Sequence, residues 1–515
     1  MNVNESVLAT ITPIRTFSDN RGSLSELWRE DTLPKDIQPC MAYISTTKSG
    51  VVRGPHEHVD QTDNFMFVEG QVDLHLWSKD GRVHEVHQVG KDNPVHVVVP
   101  PGIVHAYMNM GLEPVNILNM PNRLYKGRGG SEPVDEIRHE QDPNTIYRLD
   151  EESEPLLPTL IVTGAAGFIG SAFCHLAARH GYEIIAWDSS EYYAHNTQTW
   201  EALPAKIFIP NDIAEAKWVF EEFLPDVLKP DARQSIVHVV NFAAETHNDR
   251  SFDRPLDFFE TNVLGALKLY ESFSRSSLCT PNVSRFLQVS TDEVYGPILN
   301  GSVDETHPLN PTSPYAQSKA HAEQALQCLY RNKLGADLII TRGGNTYGPR
   351  QHPEKMIPML LTRLMQNKSY PVYLPDAVRE WQHVSDHCSA ILLALNKGVP
   401  GEVYNISSGR EAFSQSVRDH LIERLLVHLP VSKQYMTSLA QFVSGMRGDA
   451  HDARYSMSSA KLRALGDLPN SGFRLETGLQ LTVDWYAQNA QWWKPIVNSH
   501  EFRLYMANKY PMCKG

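Results

Sequence analysis

The chain lacks any apolar run of the roughly 20 residues that a helix needs to cross a bilayer. It is poor in cysteine. Six occur in 515 residues, at Cys40, Cys174, Cys279, Cys328, Cys388 and Cys513, and none form a CxxC pair. That spacing argues against a disulfide framework and leaves inert thiols as the reading. Basic residues are the minority charge: 47 Lys and Arg stand against 60 Asp and Glu, a formal net charge of -13. Nucleic-acid binding draws most of its affinity from basic patches, so no nucleic-acid partner is expected. A local arginine cluster can still hold a small anion. The opening residues Met1-Asn2-Val3-Asn4-Glu5 lack the basic and apolar regions of a signal peptide. No repeat or low-complexity tract is evident. These absences predict a soluble cytoplasmic protein with no membrane partner.

What is present falls into two grammars. At about 150 residues per domain, the length has room for about three domains. Residues 1–140 carry short β-like runs, Met41–Ser45, Asn64–Val68, Val72–Leu76 and His96–Val99, separated by turn residues. Val72, Leu74 and Leu76 alternate with polar neighbours, as on a half-buried strand. This predicts an all-β barrel or jelly roll. Residues 141–158 read as a linker, with Glu151, Glu152, Glu154, Pro155 and Pro158. From residue 159 to 515 strands and helices alternate, beginning with Thr159–Val162, Glu183–Trp187 and Val237–Val240. That predicts a doubly wound parallel α/β sheet, with a smaller lobe from about residue 371.

Thr163-Gly164-Ala165-Ala166-Gly167-Phe168-Ile169-Gly170 follows the first of these strands and opens a helix. Glycines let the backbone turn tightly and approach a pyrophosphate, which the free N–H groups of the helix end then bind. Asp188 lies about 20 residues on, where an acid meets a ribose hydroxyl and disfavours a 2′-phosphate, so NAD is expected over NADP. Asp212 and Ile213, after a third apolar run, are placed to meet the adenine.

Ser290-Thr291-Asp292-Glu293-Val294-Tyr295-Gly296 ends another apolar run, and Tyr315 and Lys319 follow, four residues apart on one helix face. A lysine beside a phenol lowers its pKa and favours a tyrosinate base. Thr291 can share the same substrate hydroxyl. Asp292 and Glu293 would point to opposite faces of a strand. Where the chain turns at the strand's carboxyl end, both can reach one crevice. Acid and base roles then require their pKa values to be driven apart.

These motifs together resemble the extended short-chain dehydrogenase/reductases and, over residues 159–495, the dTDP-glucose 4,6-dehydratases. The resemblance runs in order through residues 241–251, Thr261-Asn262-Val263, Thr291–Gly296, Asn345–Pro349, Pro353–Pro358, Arg379-Glu380-Trp381, Trp485-Tyr486 and Trp492-Trp493. It implies a tightly bound, recycled NAD, with Ala243 and Ala244 beside it. Tyr315, Thr291 and Lys319 would act at the C4 hydroxyl, Glu293 at the C5 proton and Asp292 at the departing C6 hydroxyl. Thr246, Asn345, Lys355, Arg379 and Arg454 would bind the nucleotide sugar. A homodimer or higher homo-oligomer is implied as well. Departures are Arg342-Gly343-Gly344, Thr346 and Gln351-His352. The four aromatic residues near the carboxyl end are read as packing.

Residues 12–140 resemble the cupin family of dTDP-4-dehydrorhamnose 3,5-epimerases through Phe17–Gly22, Gly50–His56 and Pro100–Tyr107. That resemblance makes His56 a base and Arg53 a phosphate or enolate ligand, with Tyr125 as the acid. The same stretch resembles metal-binding cupins through His56, His58, Asp63 and His105, and 3,4-ketoisomerases through residues 53–58. The order of preference is epimerase, then a structural or regulatory barrel, then metal site or ketoisomerase. For the whole chain the alternatives are an epimerase fused to an NADPH-dependent 4-keto reductase and a non-enzymatic nucleotide-sugar sensor.

Overall fold

The computed structural model describes residues 6–515 apart from 20–21, 30, 32, 49, 92, 111–113, 143–144, 148–157, 190–196, 229–235, 333–334, 445–451, 467–473 and 514–515. Most of the expected linker, with Glu151, Glu152, Glu154 and Pro155, lies outside the described residues. The chain divides into two compact units, Met1–Leu157 with Arg179–Gly181, and Pro158–Ala178 with Tyr182–Gly515.

The N-terminal unit holds two five-stranded antiparallel sheets. One runs Thr10–Pro13, Val95–Val99, Asp63–Phe67, Val115–Asn119 and Tyr43–Thr47. The other runs Ile137–Arg138, Val52–Glu57, Val104–Asn109, Gln71–Trp77 and His84–Gly90. Val72, Leu74 and Leu76 of one sheet pack against Phe65, Phe67, Val95 and Val97 of the other. Each such fully buried side chain contributes about 1.5–3 kcal/mol. Strand His84–Gly90 was not expected, because its glutamate, histidines and glutamine hide the period-two signal.

The C-terminal unit is built on seven parallel strands: β1 (Thr159–Thr163), β2 (Glu183–Trp187), β3 (Ala205–Ile209), β4 (Val237–Asn241), β5 (Arg285–Thr291), β6 (Asp337–Gly343) and β7 (Val403–Ile406). Their spatial order is β3-β2-β1-β4-β5-β6-β7. The order reverses between β1 and β4, and the crevice beyond their carboxyl ends is where ligands sit in such sheets. A buried polar ladder fixes this edge. Thr163 Oγ1 donates to Asn241 Oδ1 at 2.6 Å, and Asn241 Nδ2 donates to Gln288 Oε1 at 2.7 Å, tying β1, β4 and β5 together. A second apolar cluster gathers Tyr347, Leu360, Trp381, Leu421, Leu479, Tyr486 and Trp493. Trp493 is buried and donates its indole N–H to Tyr486 O at 2.8 Å, so this aromatic group is packing. Trp492 also lines a cavity of this unit.

Candidate active site

Helix α1 (Phe168–Arg179) begins directly after the glycine turn. Gly164 has φ +64°, and a Cβ there would lie 2.8 Å from Ala243 N. A Cβ on Gly170 would lie 2.1 Å from Gly164 O. The turn therefore has the closeness that a pyrophosphate cradle requires. Asp188, one residue past β2, accepts from Ala166 N at 3.0 Å. Asp212 accepts from Ala214 N at 2.7 Å and sets the turn that buries Ile213.

β5 stops at Thr291, whose side chain caps a single 3-10 turn over Asp292–Tyr295 by accepting from Glu293 N at 3.3 Å. The turn is what brings both carboxyls of an adjacent pair to one crevice. Helix α2 (Pro314–Arg331) supplies Tyr315 and Lys319, with Ser313 capping it and Pro314 in its first turn. Lys319 Nζ donates to Val289 O at 2.7 Å. One turn further, Glu323 accepts a forked pair from Arg342 Nε and Nη2, at 3.0 and 2.6 Å to the same oxygen. Arg342 Nη1 donates to Tyr295 Oη at 2.6 Å, and Tyr295 donates to Asn405 Oδ1 at 2.8 Å. The departure at Arg342 thus belongs to a buried polar knot behind the site.

One cavity of about 570 Å³ is lined by Gly164, Gly167, Phe168, Ile169, Gly170, Asp188, Asp212, Ile213, Ala243 and Ala244 at one end. Thr291, Asp292, Glu293, Tyr315 and Lys319 lie in the same wall, with Thr246, Asn345, Lys355 and Arg379 beyond them. Arg454 does not line it. Its guanidinium forks onto Glu411 and donates to Ile298 O and Gly301 O at 2.8 and 2.7 Å, so its donors are committed elsewhere. Arg379 stacks 4.6 Å from the Tyr455 ring. Lys355 Nζ donates to Thr246 O at 3.2 Å.

Electrostatics separate the two acids. Burial, reinforced by the Glu293 charge, pushes the Asp292 carboxyl up to about 8. Asp292 is therefore protonated at neutral pH. Burial and then Glu293 also push the Tyr315 phenol up, against a lowering hydrogen bond from Thr291. Burial lowers the Lys319 ammonium to about 8, opposed by Glu323. Lys319, expected to lower the phenol, is not among the groups that govern it. The lysine donates to Val289 O, and burial with carboxylate charge governs Tyr315.

Sequence reading missed two features of this wall. Glu354 is fully buried among Arg250, Lys355, His247 and His352, at 3.4, 3.7, 3.9 and 4.0 Å. Burial opposes its ionisation, but those charges win and hold it at about 2. Asn248 Nδ2 donates to Glu293 Oε2 at 2.6 Å, across 45 positions of chain. The histidine and glutamate around Lys355 were a legible oddity; the Asn248 contact had no local signal.

In the N-terminal unit His56 and His105 are cross-strand partners, and Asp63 faces them from the other sheet. The four candidate ligand atoms of His56, His58, Asp63 and His105 lie within 4.8 Å of one another. His58 Nδ1 pairs with Asp135 O, and His105 Nδ1 with Ile103 O at 3.1 Å, which turns both Nε2 atoms inward. Each Nε2 stands 3.2 Å from Asp63 Oδ2, yet His105 Nε2 is misaligned for a hydrogen bond and is left buried without one. Asp63 Oδ1 accepts from Gln61 Nε2 and Asn119 Nδ2 at 2.8 and 2.9 Å, leaving Oδ2 for the cluster. Burial, then His105 and His58, lower His56 to about 2, so its imidazole is neutral. Arg53 donates to Thr47 Oγ1 and Thr46 O at 3.1 and 3.0 Å. Tyr125 is 60% exposed, with Lys126 over its ring.

Residues 160–407 match the family described as NAD dependent epimerase/dehydratase. A dTDP-glucose 4,6-dehydratase from Streptomyces antibioticus is 39% identical over 345 residues, covering 65% of this chain and 95% of that protein. The chain belongs to the NAD dependent epimerase/dehydratase family. A solved dTDP-glucose 4,6-dehydratase from Streptomyces venezuelae, with NAD bound, has a TM-score of 0.56 and 36% identity, covering 65% of this chain and 99% of that one. A Thermus thermophilus UDP-glucose 4-epimerase complex with NAD has a TM-score of 0.54 at 28% identity, covering 64% of this chain and 99% of that one. NAD is the cofactor of this family, and the glycine cradle with Asp188 fits it. Residues 17–129 match a polysaccharide biosynthesis C-terminal domain. No 3,5-epimerase stands among these relatives, so the epimerase half of the expectation is not carried by them. Among the described residues no helix is long and apolar enough to cross a membrane, and the cysteines there are free.

Proposed function

We propose that the C-terminal unit is a nucleotide-sugar 4,6-dehydratase acting on dTDP-glucose or UDP-glucose to give the 4-keto-6-deoxy sugar. The observation that carries this is the adjacent pair Asp292 and Glu293 in one cavity with Tyr315, Lys319 and Thr291, with burial and the Glu293 charge pushing the Asp292 carboxyl up. A plain dehydrogenase has no use for it. Held by the Gly164–Gly170 turn and Asp188, a bound NAD would supply the hydride acceptor for C4 and the hydride donor for C6. Tyr315 and Thr291 hold the C4 hydroxyl, and Tyr315 takes its proton as a phenolate, a form that the cationic nicotinamide of bound NAD would favour against the burial that raises the phenol. The resulting ketone acidifies C5, and Glu293 removes that proton. Asp292 gives its proton to the C6 oxygen as the C–O bond breaks and water leaves. Glu293 returns a proton to C5. Lys355 and Arg379 supply positive charge for the diphosphate, and Asn345 and Thr246 lie beside them.

The test is incubation with dTDP-glucose or UDP-glucose in D2O. A 4-keto-6-deoxy product carrying deuterium at C5, with no net cofactor consumption, supports the reading. Net NADPH consumption would favour a 4-keto reductase, and a full absence of turnover the sensor alternative.

A second reading concerns the N-terminal unit, which we read as a cupin-type barrel directed at sugars. Three imidazoles and a monodentate aspartate suit Zn or another divalent transition metal. Such an ion supplies Lewis-acid polarisation of a ketone. His56 is then a ligand, not the free base of an epimerase. The placement of Asp63 supports this, because its Oδ2 stands 3.2 Å from Nε2 of both His58 and His105, and His105 Nε2 is buried without a hydrogen bond. Deuterium at C3 of the product would report barrel activity on the keto sugar.

A further inference from the structure

Resting on the metal reading of the N-terminal unit, we propose that Asp135 is the positioning residue of that site, a latch that orients His58 and, through Gln61, Asp63. His58 opens the connection 58–62, and Asp63 follows it. The connection carries the chain from strand Val52–Glu57 in one sheet to strand Asp63–Phe67 in the other. It lies outside the strand ladders, and side chains hold its amides. Asp135 Oδ1 accepts from Val59 N at 3.1 Å, and Oδ2 accepts from Asp60 N and Gln61 N at 3.0 and 2.7 Å. Asn122 Oδ1 accepts from the next amide, Thr62 N, at 2.8 Å. Arg123 Nη1 stands 3.9 Å from Asp135 Oδ2, and the Asp135 side chain is 9% exposed, so these bonds are shielded from water.

The backbone of the same residue sets the ligand chemistry. His58 Nδ1 pairs with Asp135 O. A carbonyl only accepts, so Nδ1 carries the hydrogen and Nε2 is the nitrogen left to ligate. Gln61 accords with that tautomer. Its Nε2 lies 3.2 Å from His58 Nε2 and donates to Asp63 Oδ1 at 2.8 Å. One amide side chain therefore bridges two ligands, and the backbone N–H of the same residue makes the shortest of the three bonds to Asp135. Two residues past Asp135, Ile137 and Arg138 pair with Glu57 and His56. The latch segment thus runs along the strand that carries a third ligand. Ligands fixed in advance lose little freedom when an ion binds, which is why such outer partners matter to affinity.

The experiment uses the full chain with Zn(II) or Co(II) alone. Competition with a chromophoric chelator gives the Zn affinity, and the visible spectrum of bound Co(II) reports ligand geometry. Asp135→Ala should weaken Zn binding by about 10–100-fold and alter the Co(II) spectrum, because His58 and Asp63 lose their fixed aim. Asp135→Asn keeps the shape and an accepting oxygen, so it should bind more tightly than Asp135→Ala and retain the spectrum. Equal losses in the two variants with an unchanged spectrum would assign the effect to charge and overturn the inference. Wild-type affinity and spectrum in folded Asp135→Ala would also overturn it and leave the metal reading standing. A wild-type chain that binds neither ion would overturn both. If Asp135→Ala does not fold, Gln61→Ala carries the test. It leaves every charge in place and should still weaken Zn and shift the spectrum, and no change in either would overturn the inference.

Discussion

Replacing Asp292 by Asn should make the protein more stable and nearly inactive. The Asp292 carboxyl is held at about 8 against an ordinary 3.8. Its proton is therefore retained in the folded chain and lost in the unfolded chain between those values. The wild-type protein keeps its full stability below about pH 4 and loses it as pH rises towards 8. At about 1.4 kcal/mol per pH unit, the cost is roughly 1.5 kcal/mol at pH 5 and roughly 4 kcal/mol at pH 7. Asparagine does not titrate, so the variant avoids this loss. An amide brings its own unmet hydrogen bonds, worth about 1–3 kcal/mol, but that penalty is the same at both pH values. The stability gap between variant and wild type should thus widen by about 3 kcal/mol from pH 5 to pH 7. Urea unfolding followed by tryptophan fluorescence at several pH values measures it directly. Loss of the general acid should lower turnover by about 10²–10⁴-fold. C5 exchange with solvent should continue, because Glu293 is untouched. A stability gap independent of pH, or normal water loss by the variant, would refute the reasoning.

Other expectations follow from the same geometry. Gly170→Ala places a Cβ against Gly164 O and should weaken NAD binding at least tenfold, about 1.4 kcal/mol, read by NADH fluorescence titration. Asp188→Ala removes the acceptor for Ala166 N and a ribose partner, and should cost about 1.5–3 kcal/mol of NAD affinity with a smaller loss for NADP. Zn at about 100 times its Kd should stabilise the N-terminal unit by about 2.7 kcal/mol, and Asp63→Ala should abolish both that gain and bound metal in mass spectrometry.

Much of the candidate site was legible because its parts are local in the chain. The glycine turn, Thr291-Asp292-Glu293 and Tyr315 with Lys319 each declare themselves within a few residues, and all line one cavity. What was not legible depends on distant pairing. Arg454 looked like a phosphate ligand until Glu411 and two carbonyls took its donors. Lys319 looked like the group that tunes Tyr315, but burial and Glu293 dominate. Asn248 reaches Glu293 across a fold no spacing rule encodes. In the N-terminal unit the His56-x-His58 pattern was visible, whereas Asp63's division of its oxygens between amides and imidazoles required the sheets to be assembled.

The knot of Arg342, Glu323, Tyr295 and Asn405 pins α2 two turns beyond Tyr315, about 12 Å along the axis. The phenol's address is therefore written into the sheet, while Lys355 and Arg379, proposed above for the diphosphate, stand on separate elements. Reactivity and selectivity are in this sense held on different anchors. Exchange of Lys355 or Arg379 should change how tightly a sugar diphosphate is held without retuning the proton transfers.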